Sequence, residues 1–511
     1  MQHDHNLVPA VVIEVLEKSA KIILFDNEQA EIDWDGMSWA REFINDQKQG
    51  APPKAAADIL NYGDVILVEK TSQANYRLSQ TPQASAAMVS LSPDNGAIEA
   101  VVGGFSFKQS QFNRVTQAKR QVGSNIKPFI YSAALEHDFT LATLINDAPI
   151  NQQNKKNDDV WRPRNSPEVY IGPIRMRRAL AESKNVIAVR LLKSVGMDNI
   201  INHLTSFGFA PSDLPRNETL ALGSASLTPL EVATGFATFA NGGFLIEPHI
   251  IERIENADGE VVYQANPKVA CDPCQYFTAS ISDEDDTALT INEETDKLSK
   301  DISHTHSIAA TTVEHVINQA PRVISAQNAF LITEALNSAI WGADWSVENG
   351  WQGTGWRART LKRRDIAGKT GTTNEAKDAW FSGYTRRLVT TSWIGFDDPS
   401  RNLGQTVYNN NLDKNQITGK EFGARSAQPA WISYMKAVTS SLPEEAFQSP
   451  TEVVSVRVDK ATGKLSYKTD RSSTFEFFRL GKTPTEYVTK DISSEILNGG
   501  DKIETSENEL F

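Results

Sequence analysis

Three short motifs run through this chain in one order: Ser124-Asn125-Ile126-Lys127, then Ser183-Lys184-Asn185, then Lys369-Thr370-Gly371. Any fold that uses them has to bring three segments, far apart in sequence, to a single cleft. Together they supply a serine nucleophile, a lysine base beside it, a hydroxyl that can relay a proton and a cation that can seat a carboxylate. That is the equipment for covalent acyl transfer at serine.

Ser124 and Lys127 are three apart, so on a helix they face the same way, one turn apart. Ser124 starts an apolar-periodic segment (Ile126, Phe129, Ile130, Ala133, Ala134, Leu135), and Pro128 falls in its first turn, where a missing N–H costs little. Backbone N–H groups at a helix start also favour negative charge on the serine. Lys127 can take the hydroxyl proton only when neutral. Burial and a second cation both lower a lysine pKa, and Lys369, if it lies across the cleft, is that cation. Ser183 and Asn185 on a loop can point into the same cleft, the hydroxyl passing a proton to a leaving amine and the amide donating and accepting along a peptide substrate. Lys369-Thr370-Gly371-Thr372-Thr373 reads as a strand. Lys369 and the hydroxyls of Thr370, Thr372 and Thr373 would hold a carboxylate, and Gly371 would let substrate backbone approach. The N–H groups of Thr372 and Ser124 would form an oxyanion hole.

Each motif alone is weak, since a chain this long should hold about one or two Ser-x-x-Lys strings by chance. Ser433-Tyr434-Met435-Lys436 is such a copy, and Ser400-Arg401-Asn402 and Ser506-Glu507-Asn508 repeat the second pattern. Context sets them aside: Ser433 lies inside an expected helix after the third motif, Ser400 in a polar turn after Pro399, and Ser506 in the tail.

A length of 511 residues exceeds one ordinary core and implies two or three domains. Residues 6–80 read as a small β unit, with strands expected over Val8–Leu16, Lys21–Phe25, Glu31–Trp34 and Asp64–Glu69, and suggest a barrel of the oligonucleotide/oligosaccharide-binding type. From Ala86 the texture changes. Ala87–Leu91 and Ala97–Val102 read as a hairpin turning at Asp94-Asn95-Gly96. A helix returns at Ser325, and three antiparallel strands follow over Ile366–Gly371, Ala379–Tyr384 and Leu388–Phe396. A polar, acidic insertion is expected at about 275–310, and 451–511 reads as a β-like extension ending in an acidic tail.

A net charge of −13 argues against a nucleic-acid partner. No run approaches the roughly 18 apolar residues of a membrane span, and the first residues show no leader pattern. The two cysteines, Cys271 and Cys274, read as a local disulfide or two free thiols; a metal site would need two further ligands, for which His304 and His306 are in reach.

Residues 86–450 resemble the transpeptidase domain of class A penicillin-binding proteins, of the 1A type. Beyond the three motifs, Gly103-Gly104, Phe112-Asn113-Arg114 and Arg120-Gln121-Val122-Gly123-Ser124 match the approach to the nucleophile. Trp161-Arg162-Pro163 and Ala179-Leu180-Ala181-Glu182-Ser183 match the lead-in to the second motif. Ala240-Asn241-Gly242-Gly243, Gly353-Thr354-Gly355, Asp378-Ala379-Trp380-Phe381 and the segment Gly423–Pro429 match further on. Departures are Val122, where proline is usual, and Asn125 and Ile126, where small or aromatic residues are usual.

The resemblance implies an α+β fold of the penicillin-binding transpeptidase and serine β-lactamase kind, an antiparallel sheet with helices on both sides, beside the small barrel. It implies D,D-transpeptidation of peptidoglycan stem peptides through an acyl-enzyme at Ser124, with Lys127 as base, Ser183, Asn185 and Lys369 completing the catalytic group, and Thr370, Gly371, Thr372 and Thr373 on the substrate. Carboxypeptidase action is an implied side reaction. β-Lactams would acylate Ser124, no metal or organic cofactor is needed, and the barrel would receive a regulatory protein. The family also carries a membrane anchor and a glycosyltransferase domain that do not occur in this sequence. The chain is thus expected to be the C-terminal part of a longer protein on the periplasmic side of the bacterial inner membrane. A β-lactamase would need a deacylating Glu-x-x-Leu-Asn-like loop. Glu218-Thr219-Leu220-Ala221 fails that pattern, and Glu334-Ala335-Leu336-Asn337 has the wrong spacing and falls in an expected helix. A non-enzymatic antibiotic sensor on the same fold is the reading from another class.

Overall fold

A computed structural model of the protein describes residues 7–46, 48–71, 75–150, 152–153, 160–272, 274, 317–343, 350–404 and 421–488. Val8, Val11, Val12, Ile13 and Val15 are β-branched and hold the first strand extended over Leu7–Val15 (β1). It joins Ala20–Leu24 (β2), Gln29–Ile32 (β3), Val65–Lys70 (β4) and Tyr76–Ser79 (β5) in a closed barrel ordered β1-β2-β3-β5-β4. Val12, Ile22, Ile32 and Val68 fill its core. The third strand stops two residues before the expected Trp34. Asp33 accepts a hydrogen bond from the Gly36 N–H (2.8 Å) and caps a short helical turn instead. Asp46, in the barrel's long connection, pairs with Arg401 at 2.6 Å and ties the barrel to the rest of the chain.

The expected hairpin forms as Ser85–Leu91 (β6) and Ile98–Val102 (β7), with Gly96 at φ +80° in the turn. Ala367–Thr372 (β8), Asp378–Tyr384 (β9) and Val389–Gly395 (β10) complete an antiparallel sheet ordered β8-β9-β10-β6-β7, so β8 is an edge strand. Alternation along β9 sends its side chains to two cores. Trp380 and Tyr384 join the large core with the helices Lys127–Glu136 (α1), Pro229–Ala240 and Ala326–Trp341, while Phe381 meets Trp431 of the helix Gln428–Thr439 at 4.8 Å between ring centroids. Helices therefore cover both faces, as expected.

Every residue of α1 from Lys127 to Leu135 is buried. A helix apolar on all sides belongs inside, and Phe129 fixes its centre, with Phe207, Phe209, Phe236 and Phe239 at centroid distances of 4.9, 5.0, 5.5 and 5.1 Å. Lys127 is thus carried into the interior by its own helix. Ser325 caps the helix Ala326–Trp341 by accepting from the Asn328 N–H at 3.2 Å.

After residue 450 a hairpin, Val453–Asp459 (β11) and Ser473–Arg479 (β12), packs back on the helices. Its anchor is Glu476, fully buried between Arg175 (3.0 Å) and Arg177 (2.6 Å). Removing one partner of a buried pair strands the others, so Glu476→Ala is expected to lower unfolding free energy by about 3–5 kcal/mol in urea denaturation. The expected acidic insertion, His304, His306, Ser506 and the acidic tail lie outside the described residues. Cys271 and Cys274 are joined in a disulfide, which selects between the two readings of that pair.

Candidate active site

Ser124 sits in a 3₁₀ turn, Gly123–Ile126, and the α-helix expected from Ser124 begins only at Lys127. Positions three apart eclipse in a 3₁₀ turn, which keeps Ser124 over Lys127. Gly123 has φ +53°, and a Cβ there would lie 2.6 Å from the Thr372 carbonyl oxygen and 3.1 Å from its nitrogen. The Ser124 turn is therefore pressed against the edge of β8. Residues with a side chain at that position would push the two apart.

The second motif lies between the helices Met176–Ala181 (α2) and Asn185–Val195 (α3). Ser183 adopts φ +59°, the left-handed region, closing α2 with its N–H on the Leu180 carbonyl (3.0 Å) and that of Lys184 on Ala179 (2.9 Å). Its hydroxyl lies 3.2 Å from Lys127 Nζ and 2.8 Å from Lys369 Nζ. Lys127 also donates to the Ser183 carbonyl and to Asn185 Oδ1, each at 2.6 Å, and Lys369 to the Thr370 carbonyl at 3.0 Å. All three motifs thus meet at one hydroxyl. Ser124 Oγ is not among the lysine's partners; it stands half-buried, its proton uncommitted among the described residues.

Asn185 spends both ends of its amide on the protein, accepting from Lys127 and donating to the Arg164 carbonyl at 2.7 Å. The sequence reading aimed that amide at substrate; in the structure it holds the lysine. Thr370 donates to Thr354 Oγ1 at 2.9 Å, and Thr372 Oγ1 accepts from the Gly423 N–H at 3.0 Å, which leaves its own proton free. One expectation on the third motif needs correction. The Thr373 hydroxyl is buried and accepts from the Asp378 N–H (2.8 Å) with the Asp378 carboxylate 3.4 Å away, because β8 has already ended and the chain is turning into β9. A Cβ on Gly371 would meet the Val122 carbonyl at 2.8 Å and Trp380 Cβ at 2.9 Å, so its protein neighbours already require the glycine.

Sequence reasoning missed Asp147, Asn165 and Thr354 as parts of this site. Thr354 was visible within Gly353-Thr354-Gly355 but had no assigned role. Asn165 stands just past Trp161-Arg162-Pro163, and a lone aspartate such as Asp147 carries no local signal. Of the look-alikes, Ser433 and Lys436 are both exposed on a helix face, and Ser400 is exposed in a turn.

Residues 86–430 match the penicillin-binding protein transpeptidase domain, and residues 1–84 match the penicillin-binding protein OB-like domain. The chain belongs to the penicillin-binding protein transpeptidase family. Penicillin-binding protein 1A of Vibrio cholerae is 46% identical over 96% of this chain and 57% of its own length, and that of Escherichia coli 44% identical over 97% and 58%. The crystal structure of penicillin-binding protein 1A from Haemophilus influenzae aligns with a TM-score of 0.77 at 39% identity, covering 96% of this chain and 65% of that one. The chain thus spans under three fifths of the length of the two curated relatives. No helix among the described residues is long and apolar enough to cross a membrane.

In this member of the family both motif lysines are buried, and neither meets a carboxylate among the described residues. Burial pushes Lys369 down from 10.5 to about 7. Burial, and then the charge of Lys369, hold Lys127 well below 10.5. An unfolded chain keeps Lys369 protonated over this range, so its contribution to stability is full above pH 10.5 and is lost as pH falls to about 7, and that of Lys127 runs in the same direction. Between the two titrations of the pair, Lys127 is neutral while Lys369 keeps its charge. Acylation that needs this combination follows a bell in pH, with its alkaline limb near 7. Lys369→Arg keeps the charge, and the expected result is an alkaline limb displaced upward in stopped-flow penicillin acylation.

Proposed function

We propose that this chain carries a serine D,D-transpeptidase that crosslinks peptidoglycan stem peptides. The observation that supports it most is the meeting of two buried lysines on the Ser183 hydroxyl, beside a half-buried Ser124 whose proton is uncommitted. Ser124 Oγ attacks the carbonyl carbon of the penultimate D-alanine, and its proton passes to Lys127. The C–N bond to the terminal D-alanine breaks, and the departing amine takes a proton from Lys127 through Ser183. Lys369, Thr370 and Thr372 hold the terminal carboxylate, and the N–H groups of Ser124 and Thr372 receive the oxyanion. An amine from a second stem peptide then displaces Ser124 and forms the crosslink; attack by water gives the carboxypeptidase side reaction. A β-lactam enters the same first step and leaves Ser124 acylated.

Slow hydrolysis of that adduct is supported by the engagement of Glu334, which lies in the helix Ala326–Trp341 and 3.7 Å from Arg177, and by the sequence after Glu218, which lacks the Leu-Asn of a deacylating loop. In the longer protein this unit would work on the periplasmic side of the bacterial inner membrane. A regulatory protein would bind the barrel, where Phe25, Tyr62 and Val65 stand exposed. We take 6–80, 86–450 and 451–511 as the working units. The test is mass spectrometry of the penicillin-treated protein, with a single long-lived adduct expected on the peptide containing Ser124. Turnover of the adduct many times per second would favour a β-lactamase, and labelling without crosslinking by the full-length protein would favour a sensor.

A further inference from the structure

Ser183 is a non-glycine residue in the left-handed region, a conformation costing on the order of 1–3 kcal/mol that persists only where surroundings over-determine it. Its surroundings include a carboxylate that the reaction above does not use. Asp147 ends the strand Leu144–Asp147 and is fully buried. Its Oδ1 accepts from Asn165 Nδ2 at 2.6 Å, and its Oδ2 accepts from the Ile171 N–H at 3.3 Å and faces Lys184 Nζ at 3.1 Å. Each of the two side-chain partners reaches the second motif. Lys184 is the residue next to Ser183, and its side chain is only 11% exposed. Asn165 Oδ1 accepts from the N–H groups of Asn185 (2.9 Å) and Val186 (3.2 Å), capping α3 where it starts.

We propose that Asp147 is a positioning residue for the second motif: by holding Lys184 directly and Asn185 through Asn165, it fixes the Ser183 backbone so that one hydroxyl touches both Lys127 and Lys369. The motif's middle residue then has its own role, as the cation that neutralises a buried carboxylate. A carboxylate buried without such a partner would be costly, so the pair Asp147–Lys184 and the left-handed Ser183 stabilise one another. This inference rests on the acyl-transfer reading and adds to it the source of the site's preorganisation.

The test is a double-mutant cycle on the acylation rate constant with a fluorescent penicillin, counting only active sites. Asp147→Asn is expected to slow acylation by up to about 10²-fold, as misplacement of a reacting group does, with little change in the dissociation constant of the initial complex. In the Ser183→Ala background the same change is expected to cost nothing further, because the group it positions is gone. Equal slowing in both backgrounds, or no slowing in the wild type, overturns the proposal. Should Asp147→Asn not fold, Lys184→Met takes its place in the same cycle. Lys184→Arg, which keeps the cation, is expected to retain the rate, and its failure to do so counts against the pair. Label retained in Ser124→Ala would count against the acyl-transfer reading itself, whereas a flat cycle with Ser124 labelled counts against Asp147 alone.

Discussion

Ser124→Ala is expected to form no covalent penicillin adduct, while its melting temperature stays close to that of the wild type. Both halves follow from where the hydroxyl sits. Ser124 Oγ is half-buried at the cleft with no hydrogen-bond partner among the described residues, so its loss strands nothing and should change stability by no more than about 0.5 kcal/mol. Chemistry has no substitute nearby. The Ser183 hydroxyl is already shared by Lys127 and Lys369, and Ser433, though it heads a second Ser-x-x-Lys string, is exposed on a helix face with Lys436 exposed beside it. Intact-mass and peptide mass spectrometry read the result directly. An adduct on any peptide of the alanine variant would sink the assignment, and one on the Ser183 peptide would move it there.

The comparison of Ser124 with Ser433 also shows what a sequence can and cannot carry. Both strings hold the same residue types at the same spacing; the segment after Ser124 carries the apolar period of Ile126, Phe129, Ile130, Ala133, Ala134 and Leu135, while the burial of Lys127 itself came only with the fold. Asp94-Asn95-Gly96 encodes its turn within a few residues, and the strands flanking it were legible for that reason. The strand expected to continue through Trp34 was not, because an Asp33 side chain that bonds back to the chain competes with pairing. Thr373 failed for a similar reason: period-2 reading of a strand cannot say where the strand ends. Asp147 and Glu476 were invisible because their partners are distant in sequence. Arg175 and Arg177 lie 301 and 299 residues from Glu476, and no local pattern marks such a pair. The motifs gave the site's inventory, and the long-range contacts that orient Ser183 came only with the fold.

Lys127→Ala is expected to slow acylation about 10²–10⁴-fold, the usual worth of a general base. Two explanations of such a loss have to be separated, because Lys127 also holds the second motif in place through its bonds to the Ser183 carbonyl, the Ser183 hydroxyl and Asn185 Oδ1. An amine with two protons satisfies the two acceptors at 2.6 Å and keeps its lone pair for the third direction, where the Ser183 hydroxyl lies at 3.2 Å and in turn accepts from Lys369. A neutral Lys127 can therefore exchange a proton along this chain without being released from the motif. An ammonium fills all three directions and has no lone pair with which to take a proton. Burial, with the charge of Lys369 second, favours the neutral form. The acid limb of the wild-type pH profile then belongs to Lys127, and removing the side chain removes that limb together with most of the rate. A purely mechanical role predicts the opposite pattern, a lower rate with the acid limb intact. Lost stability does not separate the two, since each acceptor left unpaired costs about 1–3 kcal/mol on either explanation. A small primary amine supplied to the alanine variant should restore part of the rate if a base is what is missing, because it can carry the proton but cannot span from α1 to Asn185. A variant that acylates as fast as the wild type at neutral pH would exclude Lys127 as the base and leave Ser183, poised by Lys369, as the group that must take the proton.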